Sequence, residues 1–299
     1  MKYYANLHTH STHSDGKYTP AELARIAAKE GYKAAAVTDH DAATGYPEFK
    51  AECDKLGIEC IFGVEFTGRS KTLKRADGRS ENFHLTAYHF DPEYPPMKEY
   101  LAGMGLRETD QTRVLFERGL EEGLISGITW QEVLDYNKGV IWLCNEHVFR
   151  AMKSKGLVTD LDYPNFFRTI FGARRHQVPP AYPFKSAEEV IKLVHDAGGI
   201  IFVAHPHNQL QHIDALMELG IEGLEVWHPD LTEEEKEQAY KIGIEKGLYI
   251  SGGSDHSGLC GGEYDNYEDP KSTHFWLEPC SVGTTKEFFD EIKNRKINR

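Results

Sequence analysis

Short apolar runs alternate with stretches of helical periodicity along most of this chain. Tyr3 to Leu7 is a brief run that predicts a first strand, ending in His8-Thr9-His10. Thr19-Pro20 then supplies an N-cap and a first-turn proline, with Leu23, Ile26 and Ala27 at helical spacing and Gly31 as the stop. Lys33 to Thr38 predicts a second strand, Pro47 to Leu56 a helix, and Cys60 to Val64 a third strand. The polar stretch Gly68 to Asn82 reads as a mobile loop, and Phe83 to Phe90 as a fourth strand carrying His84. The pattern then changes. From about Pro95 to Phe184 the signals are helical, with a capping box at Thr129–Glu132, further helices over Asn145–Lys155 and Asp162–Phe171, and a basic, proline-containing tract from Ala173 to Phe184.

Alternation resumes at Ser186, which opens a capping box with Glu189. Ile200 to Ala204 predicts a fifth strand, Ile213 to Leu219 a helix, and Glu222 to Trp227 a sixth strand. Thr232–Glu235 caps a helix that ends at Gly247, and Leu248 to Ser251 predicts a seventh strand. A last strand-like run, His274 to Leu277, precedes a C-terminal helix from near Thr284. Repeated strand–helix units imply a parallel sheet, and in barrels of parallel strands function sits at the strands' C-terminal ends. The expected organisation is an α/β barrel over residues 1–95 and 185–299, interrupted by a helical insertion over residues 96–184.

Chemistry falls on that pattern in register. His, Asp or Glu stands at or just past the end of the first, second, third, fifth, sixth and seventh strands. In a strand, side chains alternate faces, so His8 and His10 point the same way and form a ready ligand pair. Either residue alone reads as a surface histidine; the set does not. The candidate ligands are His8, His10, Asp15, His40, Glu65, His84, His205, Asp255 and His256, six imidazoles and three carboxylates with no cysteine. Such a mixed N/O set suits Zn, Mn or Fe and excludes a Cys-rich structural zinc site. His207 and His228 lie near the expected mouth without an assignable role, as does Cys260.

Composition narrows the classes. With 40% apolar and 27% charged residues the chain is of ordinary globular make-up. No apolar run reaches the ~18 residues of a membrane span, and MKYYANLHTH lacks the apolar core of a signal peptide. Five cysteines without a CxxC pair suit a reducing, cytoplasmic setting. A net charge of −13 argues against binding duplex nucleic acid through its backbone but leaves room for a small anionic substrate, because bound metals invert the local field.

The strings HTHSTHSDG, Thr38-Asp39-His40, Gly63-Val64-Glu65, Ala204-His205-Pro206 and Gly253-Ser254-Asp255-His256 resemble the motifs of the PHP (polymerase and histidinol phosphatase) family. They occur in family order over nearly the whole chain. The resemblance implies a distorted (β/α)7 TIM-like barrel of seven parallel strands, a site for two or three divalent metal ions, and phosphoester hydrolysis by attack of a metal-bound hydroxide. His8, His10, Asp15, His40, Glu65, His84, His205 and Asp255 match family ligands, with Glu65 and Asp255 as bridging groups. The family's D-x-H pattern is broken here: Ser257 stands where the last histidine belongs, and His256 adjoins Asp255.

Asp15 or His205 is expected to protonate the leaving alkoxide. His147 resembles an insertion histidine of the nucleotide-phosphatase-like branch, with Asn145 close to where that branch has an arginine, and is a candidate to touch substrate. Arg174 and Arg175 are candidates to grip a phosphate, since guanidinium binds it bidentately. The expected substrate is small and nucleotide-type: a nucleoside mono- or 3′,5′-bisphosphate or a short oligoribonucleotide. Alternatives are a histidinol-phosphate phosphatase, a metal-dependent amidohydrolase (which would want a bridging Lys where Glu65 stands), and a non-catalytic PHP module.

Overall fold

A computed structural model describes residues 3–255 and 280–295. His256, Cys260 and the expected strand at His274–Leu277 lie outside the described residues. The chain forms a mixed α/β fold. Three very short parallel strands, β1 (Ala5–Asn6), β2 (Ala34–Ala35) and β3 (Glu59–Cys60), make one sheet. A second sheet has the order β4 (Gly63–Lys74), β5 (Ser80–Tyr88), β6 (Ile200–Val203), β7 (Gly223–Trp227) and β8 (Tyr249–Gly252). Helices α1 (Pro20–Glu30) and α2 (Tyr46–Leu56) connect the first strands, while α7 (Ala187–Asp196), α8 (Ile213–Leu219) and α9 (Glu233–Lys246) accompany the later ones.

Two expectations are corrected here. Gly68 to Asn82 is not a loop: β4 and β5 pair antiparallel through it, from Gly63↔Tyr88 out to Lys74↔Ser80. Its side chains are polar because the outer half of this ribbon is exposed on one face, which erases the apolar signal without removing the strand. The sheet is therefore not all-parallel, since β5 also runs antiparallel to β6. That reversal explains why the fourth expected strand alone carries its histidine, His84, within the strand and not at its end. Elsewhere the local grammar holds. Thr19–Glu22, Thr129–Glu132, Ser186–Glu189 and Thr232–Glu235 all form reciprocal capping boxes.

The two sheets meet at both edges. Glu65 N–H donates to Thr38 O at 3.1 Å and Asp41 N–H to Glu65 O at 2.8 Å, a parallel bridge between His40 and Glu65. On the other side Leu7 N–H donates to Gly252 O at 3.3 Å.

Between β5 and α7 the chain is helical: α3 (Pro95–Glu121), α4 (Trp130–Tyr136), α5 (Asn145–Ser154) and α6 (Tyr163–Phe166), then a π-turn over Phe167–Phe171 and a 3-10 turn over Gly172–Gln177. The expected continuous helix from Asp162 to Phe171 is thus broken into short turns. Helix α3 is shared between two cores. Met97, Tyr100, Leu101 and Met104 pack into the apolar cluster under the larger sheet, whereas Leu115 and Phe116 belong to a separate cluster with Val148, Phe149, Phe166 and Phe171. No helix among the described residues is long and apolar enough to cross a membrane.

Candidate metal centre

Eight of the nine residues singled out by the sequence as ligands lie within the described chain, and the fold brings them together. Glu65, wholly buried on β4, is the hub. Its Oε2 lies 3.3 Å from His8 Nε2, 3.1 Å from His10 Nε2 and 3.1 Å from His40 Nδ1. Its Oε1 lies 3.0 Å from His84 Nδ1 and 3.1 Å from His205 Nε2. Asp255 joins from the end of β8, with Oδ1 3.0 Å from His10 Nε2 and 3.6 Å from His8 Nε2. Asp15 comes from the loop after the first strand, 3.7 Å from His10 Nδ1 and 3.5 Å from His40 Nε2. Four overlapping donor groups result among the described residues: His8, His10, Glu65 and Asp255; His40, Glu65 and His84; His10, Asp15 and His40; and His8, Glu225 and His228.

The donor set fits divalent cations. A buried carboxylate needs compensating positive charge, and the described partners of Glu65 are imidazoles. Buried Glu65 Oε2, His40 Nδ1 and His228 Nε2 make no well-formed hydrogen bond among the described residues. Burial opposes charge on His8 and His10, but the facing carboxylates (Glu225, Glu65 and Asp255 for His8; Asp255, Glu65 and Asp15 for His10) outweigh it and raise both well above the usual histidine range. Burial likewise works against Glu65, and His8, His40 and His84 more than offset it, holding its carboxyl well below the usual range. His40 goes the other way: burial lowers it to about 4 despite Asp15 and Glu65, which keeps the ring neutral.

The surroundings show how the backbone imposes this geometry. Asp39, buried at the end of the second strand segment, accepts hydrogen bonds from Ser11 N–H (2.6 Å), Ser11 Oγ (2.7 Å) and Ser14 Oγ (2.9 Å), which pins the loop carrying Asp15. His205 and Asp255 both sit in the left-handed region, at φ 26° and 67°. For non-glycine residues such backbone costs of order 1–3 kcal/mol, the kind of strain found where side chains must be aimed at a site. Gly253 allows β8 to approach the first strand: a Cβ there would meet His8 Cβ and backbone N at 2.4 Å.

Glu225 is the residue sequence reasoning missed. It lies on β7, almost fully buried, and both its oxygens are 3.1 Å from His8 Nδ1. It also accepts the His205 backbone N–H at 2.8 Å. With Nδ1–H donated to Glu225, the His8 Nε2 lone pair faces the cluster, the usual carboxylate–imidazole support of a metal ligand. A signal existed: strands covered on both faces are apolar throughout, so a glutamate inside Gly-Leu-Glu-Val-Trp is anomalous. His228 also belongs here, buried, with Nε2 3.3 Å from Asp255 Oδ2.

The expected substrate-binding residues separate. His147 does not face an open mouth. It is wholly buried; its Nδ1 accepts the Cys144 N–H at 2.9 Å and its Nε2–H donates to Thr12 O at 3.0 Å. It fastens α5 to the loop between His10 and Asp15, with Arg150 donating to Gly16 O beside it. Arg174 pairs with Glu122 at 2.7 Å on the exposed side of the helical segment. Arg175 turns inward to pair with Glu108 and lines a cleft. From the same segment Trp142 stacks on His40, ring centres 6.0 Å apart.

An α/β scaffold that gathers histidines and carboxylates from most of its strands around one shared glutamate has the make-up of a metal-binding protein. The chain is a member of the PHP family, whose domain signature matches residues 6–218. It is 24% identical to phosphoribosyl 1,2-cyclic phosphate 1,2-diphosphodiesterase of Eggerthella lenta over 86% of this chain and 95% of that one. It is 26% identical to the 3′,5′-nucleoside bisphosphate phosphatase of Chromobacterium violaceum over 84% and 86%, and 27% identical to a 5′-3′ exoribonuclease of Haemophilus influenzae over 86% and 90%. Among solved structures, a protein of Bifidobacterium adolescentis described as a metal-dependent phosphoesterase superposes with a TM-score of 0.75 at 25% identity, covering 98% of this chain and 96% of that one.

Proposed function

We propose that this chain is a metal-dependent phosphoesterase that hydrolyses a small, nucleotide-type phosphorylated substrate. One observation carries the reading: the two oxygens of buried Glu65 face two different sets of imidazoles, the arrangement a carboxylate needs to bridge neighbouring cations. Relatives that act on a cyclic phosphate, a nucleoside bisphosphate and RNA support the substrate class. Two or three divalent ions, of Mn, Fe or Zn, held there supply Lewis acidity and an activated water.

The protein's own residues take the following parts. His8, His10 and His40 at Glu65 Oε2, His84 and His205 at Oε1, and Asp255 beside His8 and His10 would hold the ions. Asp15 faces the side lined by His10 and His40, and its side chain is 31% exposed, against 14% or less for Glu65 and Asp255. That exposure suits Asp15 to hand a proton to the leaving alkoxide, with His205 as the alternative donor. His256, outside the described residues, is the remaining candidate ligand. The two sheets are read as arcs of one distorted seven-stranded barrel, with β3 and β4 as one interrupted strand; the bridges His40–Glu65 and Leu7–Gly252 support this. Residues 96–184 are read as a helical insertion that roofs the centre, and five cysteines without a CxxC pair suit a reducing cytoplasm.

The test is phosphate release with Mn, Fe and Zn supplied separately, from nucleoside monophosphates, nucleoside 3′,5′-bisphosphates, a 5′-phosphorylated oligoribonucleotide and histidinol phosphate. Turnover of a nucleotide, abolished in His8→Ala, is expected. Turnover of histidinol phosphate alone would move the assignment to that phosphatase, and silence across the panel with metals bound would remove the phosphoesterase reading.

A further inference from the structure

Strand alternation carries the metal-centre face outward along the β4–β5 ribbon. On β4, Glu65, Thr67 and Arg69 point to one side while Val64 and Phe66 enter the core on the other. On β5, His84, Asn82 and Ser80 share the site's side, and the register pairs Thr67 with His84 and Arg69 with Asn82. Four residues of extended chain separate Glu65 from Arg69, about 13 Å. There the ribbon meets α3 and the turn after Phe171, and the two enclose a cleft of about 700 Å³.

The charge of that cleft is opposite to the molecule's. Arg69, Lys71, Arg107, Arg175 and Lys185 line it against only two carboxylates, Glu108 and Glu189, on a chain whose net charge is −13. The cations are held in place by neutral partners as well as by those carboxylates. Arg107 donates to Tyr182 O at 2.6 Å and its guanidinium carbon lies over the Phe184 ring, 3.9 Å from its centre, and Lys185 lies over Tyr100. Arg69 extends from the ribbon with an exposed side chain. A stacked guanidinium and ring, with further guanidinium groups nearby, offers a flat platform and charged hydrogen-bond donors together, the combination that engages phosphates and bases of single-stranded nucleic acid.

We propose that this cleft is a second phosphate-binding site. It takes a non-scissile phosphate of an extended substrate, one or more sugar units from the phosphate at the metal centre, and so selects against simple monoesters. The proposal rests on the phosphoesterase reading and deepens it. The second phosphate could belong to a nucleoside bisphosphate or to the next nucleotide of a short strand.

The experiment uses the full, metal-loaded chain and its Arg69→Ala and Arg69→Glu variants, whose folding is checked by thermal melting. Two quantities are read. One is kcat/KM for adenosine 3′,5′-bisphosphate and for a 5′-phosphorylated trinucleotide, each relative to adenosine 5′-monophosphate. The other is equilibrium affinity for a non-hydrolysable phosphonate analogue of the bisphosphate. Losing a charge-assisted phosphate contact should cut both the ratio and the affinity by about 10- to 100-fold, more in Arg69→Glu than in Arg69→Ala. A larger loss for the trinucleotide than for the bisphosphate identifies a strand as the source, and the reverse a nucleoside bisphosphate. If the ratio and the affinity both stay within about twofold of the parent, the cleft proposal is wrong although hydrolysis persists. Analogue binding that depends on Arg69 without turnover of any phosphoester would keep the cleft and overturn the phosphoesterase reading instead.

Discussion

The strand ends and the helical segment of residues 96–184 are built on different principles. The strand ends have almost no regular structure of their own, since β1, β2 and β3 are two residues each. Their order comes from polar groups: Asp39 clamping Ser11 and Ser14, Glu225 clamping His8 and His205, and Glu65 amid five imidazoles. The helical segment has an apolar core of its own around Phe116, Val148, Phe149 and Phe171. It touches the centre through a few contacts, Trp142 over His40 and His147 to Thr12 among them. One region spends burial on presenting charge, and the other spends it on holding shape. Damage in the first should therefore register as lost ions, and damage in the second as lost stability.

The sharpest break is at the hub. Glu65→Gln keeps the size of the side chain but removes the charge that faces both sets of imidazoles. Bound metal should fall below one ion per chain, and activity by about 10³-fold or more, the several kcal/mol that metal-assisted charge stabilisation contributes. Metal content by mass spectrometry and single-substrate kinetics check it, and unchanged metal stoichiometry would refute the bridging role. Phe149→Ala attacks the other region. Phe149 is fully buried, and its truncation should cost about 3–5 kcal/mol of stability. Metal content at low temperature should remain that of the parent. Ions lost in proportion to the melting shift would mean that the two regions do not separate as argued.

Glu225→Gln tests the carboxylate support. It leaves the ligands in place and weakens the hold on His8 orientation, so metal affinity measured by chelator competition should drop about 10- to 100-fold, with a melting temperature in excess metal close to the parent's. Equal affinity in the variant would make Glu225 a packing residue only.

The difference between the regions also explains what the sequence disclosed. His8, His10, His40, Glu65, His205 and Asp255 stand out because a strand period of two and the strand–helix alternation place them in one register, which is visible without coordinates. The hairpin from Gly68 to Asn82 was hidden because strands with an exposed polar face look like loops. Glu225 showed itself only as a charge inside the apolar strand Gly-Leu-Glu-Val-Trp, and its partner His8, 217 positions away, is not encoded by any local pattern. In the helical segment the caps were legible, whereas the orientation of His147 was not. A helix periodicity says which side of α5 is buried, but not that the buried side rests on the loop between His10 and Asp15.

His147 gives the smallest expected effect and the most specific one. Its Nδ1 accepts a backbone N–H and its Nε2–H donates to a backbone carbonyl, a pairing available only to the neutral ring. Burial first, and then Arg150, hold its pKa well below the usual value. In the unfolded chain the ring takes up a proton near pH 6.5, about its ordinary value. Below that pH the unfolded state binds more protons than the folded one, so this residue's contribution is complete above pH 6.5 and declines as pH falls. His147→Ala should cost about 1–3 kcal/mol at neutral pH by leaving the Cys144 N–H and Thr12 carbonyl unpaired. It should also remove part of the acid sensitivity, so the gap between parent and variant in denaturant midpoint should narrow between neutral pH and about pH 5. A gap constant with pH would mean that the fold tolerates the protonated ring, and that α5 is held on the loop by Arg150 and packing instead of by His147.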